Sequence, residues 1–307
     1  MENLNSFLSE LVNKYRSETS GATASYIPEL SNVDHDLFAL VVVTNKGEIY
    51  QAGDFNHKFT LQSASKPFIY GMALEEHGRE FMRSRVGVEP SGEAFNSIVE
   101  LEKHTHRPYN PMINSGAIAV SSFIQDKNNE SRLDRVLKVF SDYAGHSVSV
   151  DDAVFESEKK TAHRNRSIAH LLRHFEIIGN DIEESLDLYF KQCSILFDTT
   201  DLAFMAATLA NGGVQPKTQK QVIKKEFVPD ILSLMFTCGM YDSAGEWAYT
   251  VGLPAKSGVS GCLLAVVPGK MGIAAFSPLI DKQGHSVRSM KAIYDLVEHC
   301  KLNIFAN

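Results

Sequence analysis

The sequence predicts an α/β fold in which one sheet is assembled from both ends of the chain, is flanked by helices, and brackets a large helical lobe. Two observations lead there. Short, β-branched apolar runs sit near the two ends, at residues 37–43 and 262–276, whereas residues 63 to about 235 carry apolar side chains at helical three-and-four spacing. Strands that are apolar at nearly every position have no solvent face, so helices must cover both sides of the sheet, which is a layered architecture.

Each element has its own local reason. Leu4, Phe7, Leu8, Leu11, Val12 and Tyr15 recur at helical spacing and open the chain with an amphipathic helix. Residues 17–36 have loop chemistry, and Tyr26-Ile27-Pro28-Glu29-Leu30 within them reads either as a mobile flap or as an ordinary tether. The run at 37–43, the turn Asn45-Lys46-Gly47 and Glu48-Ile49-Tyr50 form a hairpin. Apolar periodicity around 133–140 and 168–175 marks helices of the inserted lobe. A second hairpin pairs 262–267 with 271–276 across Pro268-Gly269-Lys270, and Val287, Met290, Ile293, Tyr294 and Val297 give a closing helix. No linker or repeat divides the chain, so residues 1–307 are expected to form one domain. Its sheet lobe spans about 1–62 and 236–307, and its helical lobe about 63–235.

Composition narrows the function. With 307 residues, 44% hydrophobic and 22% charged, the chain can bury a full core. A net charge of -7 without a basic run argues against nucleic acid or anionic lipid as a partner. No apolar run is long enough to cross a bilayer, and the amino-terminal residues do not read as a secretory signal. The four cysteines form no C-x-x-C pair, which suits free thiols, and the expected location is the cytoplasm. His104-Thr105-His106 and the pair His170 and His174 lack the H-E-x-x-H context and the cysteine partners of a metal site, so no metal is expected. No P-loop or dinucleotide fingerprint is present.

The chemistry concentrates in two segments. In Gln62-Ser63-Ala64-Ser65-Lys66-Pro67, a helix beginning near Ser63 places Ser63 and Lys66 on one face, and Pro67 is tolerated only in a first helical turn. A neutral lysine there deprotonates the serine. Later, Lys256-Ser257-Gly258 stands directly before a strand and matches the K-[ST]-G element of serine enzymes built on S-x-x-K. A cationic Lys256 beside Lys66 is expected to favour the neutral amine on Lys66 by like-charge repulsion, as burial also does.

At these motifs the chain closely resembles the bacterial-type glutaminases of the serine β-lactamase-like superfamily. The resemblance runs through residues 26–30, Gln62 to Lys66, Glu89-Pro90-Ser91-Gly92 with Phe95-Asn96-Ser97, and Asn110-Pro111-Met112-Ile113-Asn114-Ser115-Gly116. It continues through Ser157-Glu158, Arg164-Asn165, Tyr189, Gln192-Cys193-Ser194, Cys238-Gly239-Met240-Tyr241-Asp242 and residues 252–258. The resemblance implies a β-lactamase/transpeptidase-like fold, hydrolysis of L-glutamine to L-glutamate and ammonia, no cofactor, and a homo-oligomer, tetramer or dimer. It makes Ser63 the nucleophile and Lys66 the general base, with Tyr241 and Lys256 completing the catalytic group. Asn114, Glu158, Asn165, Tyr189, Tyr241 and the main chain of Val259 fall on substrate-binding positions.

The reaction fits those side chains. A carboxamide needs an activated oxygen and an oxyanion hole, for which the N–H groups of Ser63 and Val259 serve. Ammonia must leave protonated, and Lys66 or the Tyr241 phenol can deliver the proton. Glu158 suits the α-ammonium, and Asn114, Asn165 and Tyr189 offer neutral donors to the α-carboxylate. Ser115 and Ser260 stand where the family usually has Ala and Gly, and Ala64 where it has Ile; Ser260 adds a side chain beside the oxyanion donor. Two other readings compete: a β-lactamase or transpeptidase, whose substrates lie outside the cytoplasm, and a catalytically dead sensor, against which the intact Ser63, Lys66, Tyr241 and Lys256 argue.

Overall fold

The computed structural model describes residues 3–25, 27–92, 96–98, 101–102 and 106–306. Helix α1 (Leu4–Arg16) buries Leu4, Leu8, Leu11 and Val12, the stripe its periodicity predicts. Strands β1 (Ala39–Thr44) and β2 (Ile49–Gly53) then pair antiparallel around the predicted turn, where Gly47 takes the positive φ the reversal requires. A two-residue strand β3 (Phe59–Thr60) leads into a 3₁₀ turn over Gln62–Ser65 and helix α2 (Lys66–Arg85).

The inserted lobe follows as α3 (Asn114–Phe123), α4 (Arg132–Ala144), α5 (Asp152–Thr161), α6 (His163–His174) and α7 (Ile182–Cys193). After strand β4 (Leu196–Phe197) come α8 (Thr199–Ala210), α9 (Val228–Cys238) and α10 (Ala244–Thr250). The chain closes with β5 (Ala255–Ser257), β6 (Cys262–Val267), β7 (Met271–Phe276) and helix α11 (Val287–Cys300).

The main sheet has the order β2-β1-β7-β6-β5, antiparallel throughout, and β1 pairs directly with β7, so the two ends of the chain are joined in one sheet as expected. Alternation sorts its side chains between two cores. Val41, Val43, Leu264, Val266 and Ala274 face the helical lobe, while Leu40, Val42, Leu263, Ala265 and Ile273 join the stripe of α1 and the Ile293 and Val297 face of α11. Both sides are dry, which is why the strands read as continuous apolar runs. Helix α8 lies tight on the sheet because its contact face is alanine and β7 offers Gly272; a Cβ there would stand 2.2 Å from Ala207 N.

The helical region departs from the sequence reading in two places. It contains strand β4, which pairs with β3 just before the lobe, and these two-residue strands are too short to show a period of two. Helices also continue past the predicted lobe boundary: α9 runs through 236, and α10 follows before the sheet resumes. Tyr26 lies outside the described residues, but Ile27 is fully buried and the single helical turn Pro28–Ser31 packs on α5. Among the described residues no helix is long and apolar enough to cross a membrane.

Candidate active site

The candidate nucleophile sits where the small ladder meets α2. Leu61 N donates to Ile195 O, pinning the chain to the end of the ladder, and Gln62 is then forced to a φ of 51°. That left-handed conformation is costly for a side chain larger than glycine, of order 1–3 kcal/mol, and it turns Ser63 outward. The α-helix begins at Lys66, three residues later than the sequence predicts, with Pro67 in its first turn. Ser63 and Lys66 still share a face, because residues i and i+3 eclipse in a 3₁₀ turn.

Lys66 is almost fully buried and its Nζ donates to Met112 O (3.1 Å) and Asn114 Oδ1 (2.8 Å). Burial lowers its pKa to about 8, against the opposing pull of Cys193 and Glu158. Asn114, the first residue of α3, uses its other end to donate from Nδ2 to Asn165 Oδ1 (3.0 Å). One amide therefore ties the lysine to the neighbouring helix α6. Gly116 is needed just beyond it, since a Cβ there would lie 1.9 Å from Asn110 O.

Tyr241 reaches the serine from the opposite lobe. Its φ of 52° is the second left-handed non-glycine conformation in the site, and its phenol hydrogen-bonds Ser63 while burial pushes its pKa well up. Lys256 Nζ lies 4.0 Å from the centre of the Tyr241 ring and donates to Ser257 O (2.8 Å). Here the structure corrects the sequence reading of a cationic Lys256. The side chain is fully buried, and burial first, then repulsion from Lys66, drives its pKa well below the usual lysine range. Lys66 owes its lowered pKa to its own burial.

A cavity of about 360 Å³ opens in front of Ser63, and Asn114, Glu158, Asn165, Tyr189 and Val259 all line it. Lys66, Tyr241 and Lys256 stand behind the serine. Glu158 projects from the middle of α5, is buried, and is held near Gln62; burial raises its pKa to about 8, while Lys66 and Gln62 pull it down. Its Oε2 has no hydrogen-bond partner among the described residues. Val259 approaches because Gly258 lets the β5–β6 turn touch the nucleophile turn: a Cβ on Gly258 would stand 2.5 Å from Leu61 O.

Residues 21–305 match the family model described as Glutaminase. The chain belongs to the glutaminase family. It is 53% identical over 298 residues to a glutaminase of Trichormus variabilis, covering 97% of this chain and 89% of that protein. Glutaminase 1 of Escherichia coli O6:H1 is 44% identical, covering 95% and 94%. Among solved structures, that of a probable glutaminase, YbaS, superposes with a TM-score of 0.96 at 42% identity over 100% of this chain and 99% of that one. The glutamate form of the protein Mglu gives 0.93 at 40% identity over 98% and 69%. The fold is the β-lactamase-like one that the family resemblance implied.

Two departures from the family pattern are buried side chains: Ser260 lies beside the Cys262 thiol, its hydroxyl without a hydrogen-bond partner among the described residues, and does not line the cavity, and Ser115 is buried on α3. Cavity residues to which the sequence assigned no role are Gln62, Asn96, Thr161, Ala162, Arg164 and Cys193. Of these, Arg164 donates from Nε to Asn96 O at the rim, and Cys193 is kept a thiol by burial. The spacing Arg164-Asn165 on one helix start was the available signal. Of the histidines set aside as ligands, His106 bonds Leu101 O and stacks on Phe175, His174 packs edge-on to Phe175, and His104 lies outside the described residues. Among the described residues no group of three metal-binding side chains gathers.

Proposed function

We propose that residues 1–307 act as one domain that hydrolyses L-glutamine to L-glutamate and ammonia through an acyl-enzyme on Ser63, without a cofactor. Glu158 carries this reading: a buried carboxyl group with one oxygen unpartnered among the described residues, facing a cavity that also holds Ser63, where an incoming ammonium favours its ionised form. An α-ammonium group satisfies that oxygen, and the Asn114, Asn165 and Tyr189 side chains donate to the α-carboxylate. From those anchors the side-chain amide of glutamine reaches Ser63, whereas that of asparagine stops one methylene short. Product glutamate carries the same head group, in keeping with the glutamate form of Mglu.

Lys66 as free amine takes the proton from Ser63 Oγ, and the oxygen attacks the amide carbon. The N–H groups of Ser63 and Val259 stabilise the oxyanion, each donor contributing about 3 kcal/mol. The C–N bond breaks as Lys66 or the Tyr241 phenol gives a proton to the departing ammonia, and water, activated by the same base, cleaves the ester. Nucleophile, base and acid are all supplied by side chains. Four free cysteines favour a cytoplasmic setting, and exposed Tyr249 and Phe305 give apolar surface to a homodimer or tetramer.

Ammonia and glutamate release from L-glutamine, compared in wild type, Ser63→Ala, Lys66→Ala and the double variant, tests the mechanism. Each single variant is expected to lose on the order of a thousandfold or more in kcat, and the double variant no more, because nucleophile and base act as a unit. A Ser63→Ala protein with near-wild-type turnover would reject the covalent route.

A further inference from the structure

The loop between β7 and α11 folds back onto the reacting groups. Asp281 Oδ1 accepts from Gln283 N and His285 N (both 2.9 Å), Asp281 N donates to His285 O (2.8 Å), and Gly284 takes a φ of 88° to close the turn. The loop is anchored beyond it, where Ser286 Oγ donates to Ser277 O and contacts Ser289 Oγ. Gly284 backs on Val259, the candidate oxyanion residue; a Cβ there would lie 3.5 Å from Val259 Cγ1.

His285 itself is fully buried. Its Nδ1 lies 2.9 Å from Ser257 Oγ, in the Lys256-Ser257-Gly258 element, and its ring stacks on Tyr241 with centroids 6.0 Å apart and planes 16° from parallel. One imidazole thus touches both the strand that carries Lys256 and the phenol that hydrogen-bonds the nucleophile. We propose that His285 is a positioning residue of the hydrolytic reaction, a buried strut that is braced on Ser257 at the end of β5 and holds the Tyr241 ring in register with Ser63.

The reading rests on the proposed role of Tyr241 and Ser63. Asp281, Asp242 and Lys256 are the charged groups that face the ring, and burial lowers the imidazole pKa to about 4, so it is uncharged at neutral pH. An uncharged ring adds no net charge beside the two lysines and acts through contact. Tyr241 has particular need of a strut because its left-handed backbone is strained, and strain of that kind persists only where the surroundings over-determine it. Its ring meets Ser257 and Tyr241, so its influence falls on the chemical step.

The test is a kinetic comparison of wild type, His285→Asn, His285→Phe, His285→Ala and Tyr241→Phe, with the double variant His285→Ala/Tyr241→Phe, on L-glutamine, with Ser63→Ala as control and thermal melting for each protein. His285→Ala is expected to lower kcat on the order of tenfold to a hundredfold, as a displacement near 1 Å does, while KM stays within about twofold. His285→Phe, which keeps a ring against Tyr241, recovers part of that loss. The double variant is no slower than Tyr241→Phe alone, because the histidine acts through the tyrosine. Unchanged kcat in His285→Ala, a loss confined to KM, or effects of the two substitutions that multiply would overturn the inference while leaving the Ser63 mechanism in place. Turnover that survives in Ser63→Ala overturns both. If the alanine variant fails to fold, the asparagine and phenylalanine variants read the same kcat-against-KM split.

Discussion

Lys66 Nζ donates to Asn114 Oδ1 across 2.8 Å, and the same amide donates to Asn165, so the candidate base and the candidate carboxylate anchor share one hydrogen-bonded side chain. The amide is neutral, which lets burial hold the Lys66 pKa near 8. Asn114→Asp puts a negative charge in that contact and favours the ammonium form. The rising limb of kcat against pH is expected to move about one unit or more toward alkaline values, and KM to rise as Asn165 loses its donor. A pH–rate profile with an unmoved limb would show that Lys66 is not the group that titrates.

Glu158 predicts opposite effects on stability and on catalysis. Its folded-state pKa is raised from 4.5 to about 8, so the fold holds a proton that the unfolded chain has released over that range. The stabilisation is present in full below about 4.5 and is lost as pH rises through about 8. Glu158→Gln removes this titration. Thermal melting from pH 5 to 9 is expected to show wild type falling relative to the variant, while kcat/KM for L-glutamine drops in the variant on the order of a hundredfold. The variant also narrows the gap between L-glutamine and an analogue lacking the amino group. A wild type that uses that analogue as well as L-glutamine would remove Glu158 as the ammonium anchor.

Gly258 is held to glycine by space, since its φ is not in the left-handed region. A Cβ would stand 2.5 Å from Leu61 O and 2.7 Å from Cys262 Sγ, and the first of these is backbone of the nucleophile turn. Gly258→Ala must push that turn and the Val259 N–H apart. The expected cost is about 1–3 kcal/mol in denaturant unfolding, with kcat falling at least about tenfold and KM little changed. Wild-type kinetics in a folded Gly258→Ala protein would separate Val259 from the oxyanion.

The two halves of the site differed in how openly the sequence declared them. Ser63 and Lys66 are local, three residues apart, and Pro67 marks the helix start, so their pairing was legible even though a 3₁₀ turn replaces the expected first α-turn. The cavity residues Asn114, Glu158, Asn165, Tyr189 and Val259 were named through the family resemblance, and the fold brings them around one cavity. His285 carried no signal, because a histidine in a Gly-Ser loop has no periodicity and its contacts with Tyr241 and Ser257 are long-range.

By itself, then, the sequence determined what depends on neighbours along the chain. The doubly buried strands follow from apolar residues at every position, and the sheet joining both ends follows from where those runs lie. Tertiary structure decided what depends on neighbours in space. It placed Lys256 over the Tyr241 ring and buried it completely, and that burial drives the pKa of the expected cation well down. It turned Gln62 and Tyr241 into left-handed conformations that composition disfavours. The physical reason is the same in each case: desolvation and steric close approach are set by atoms brought together from distant parts of the chain, and neither is encoded in any one segment.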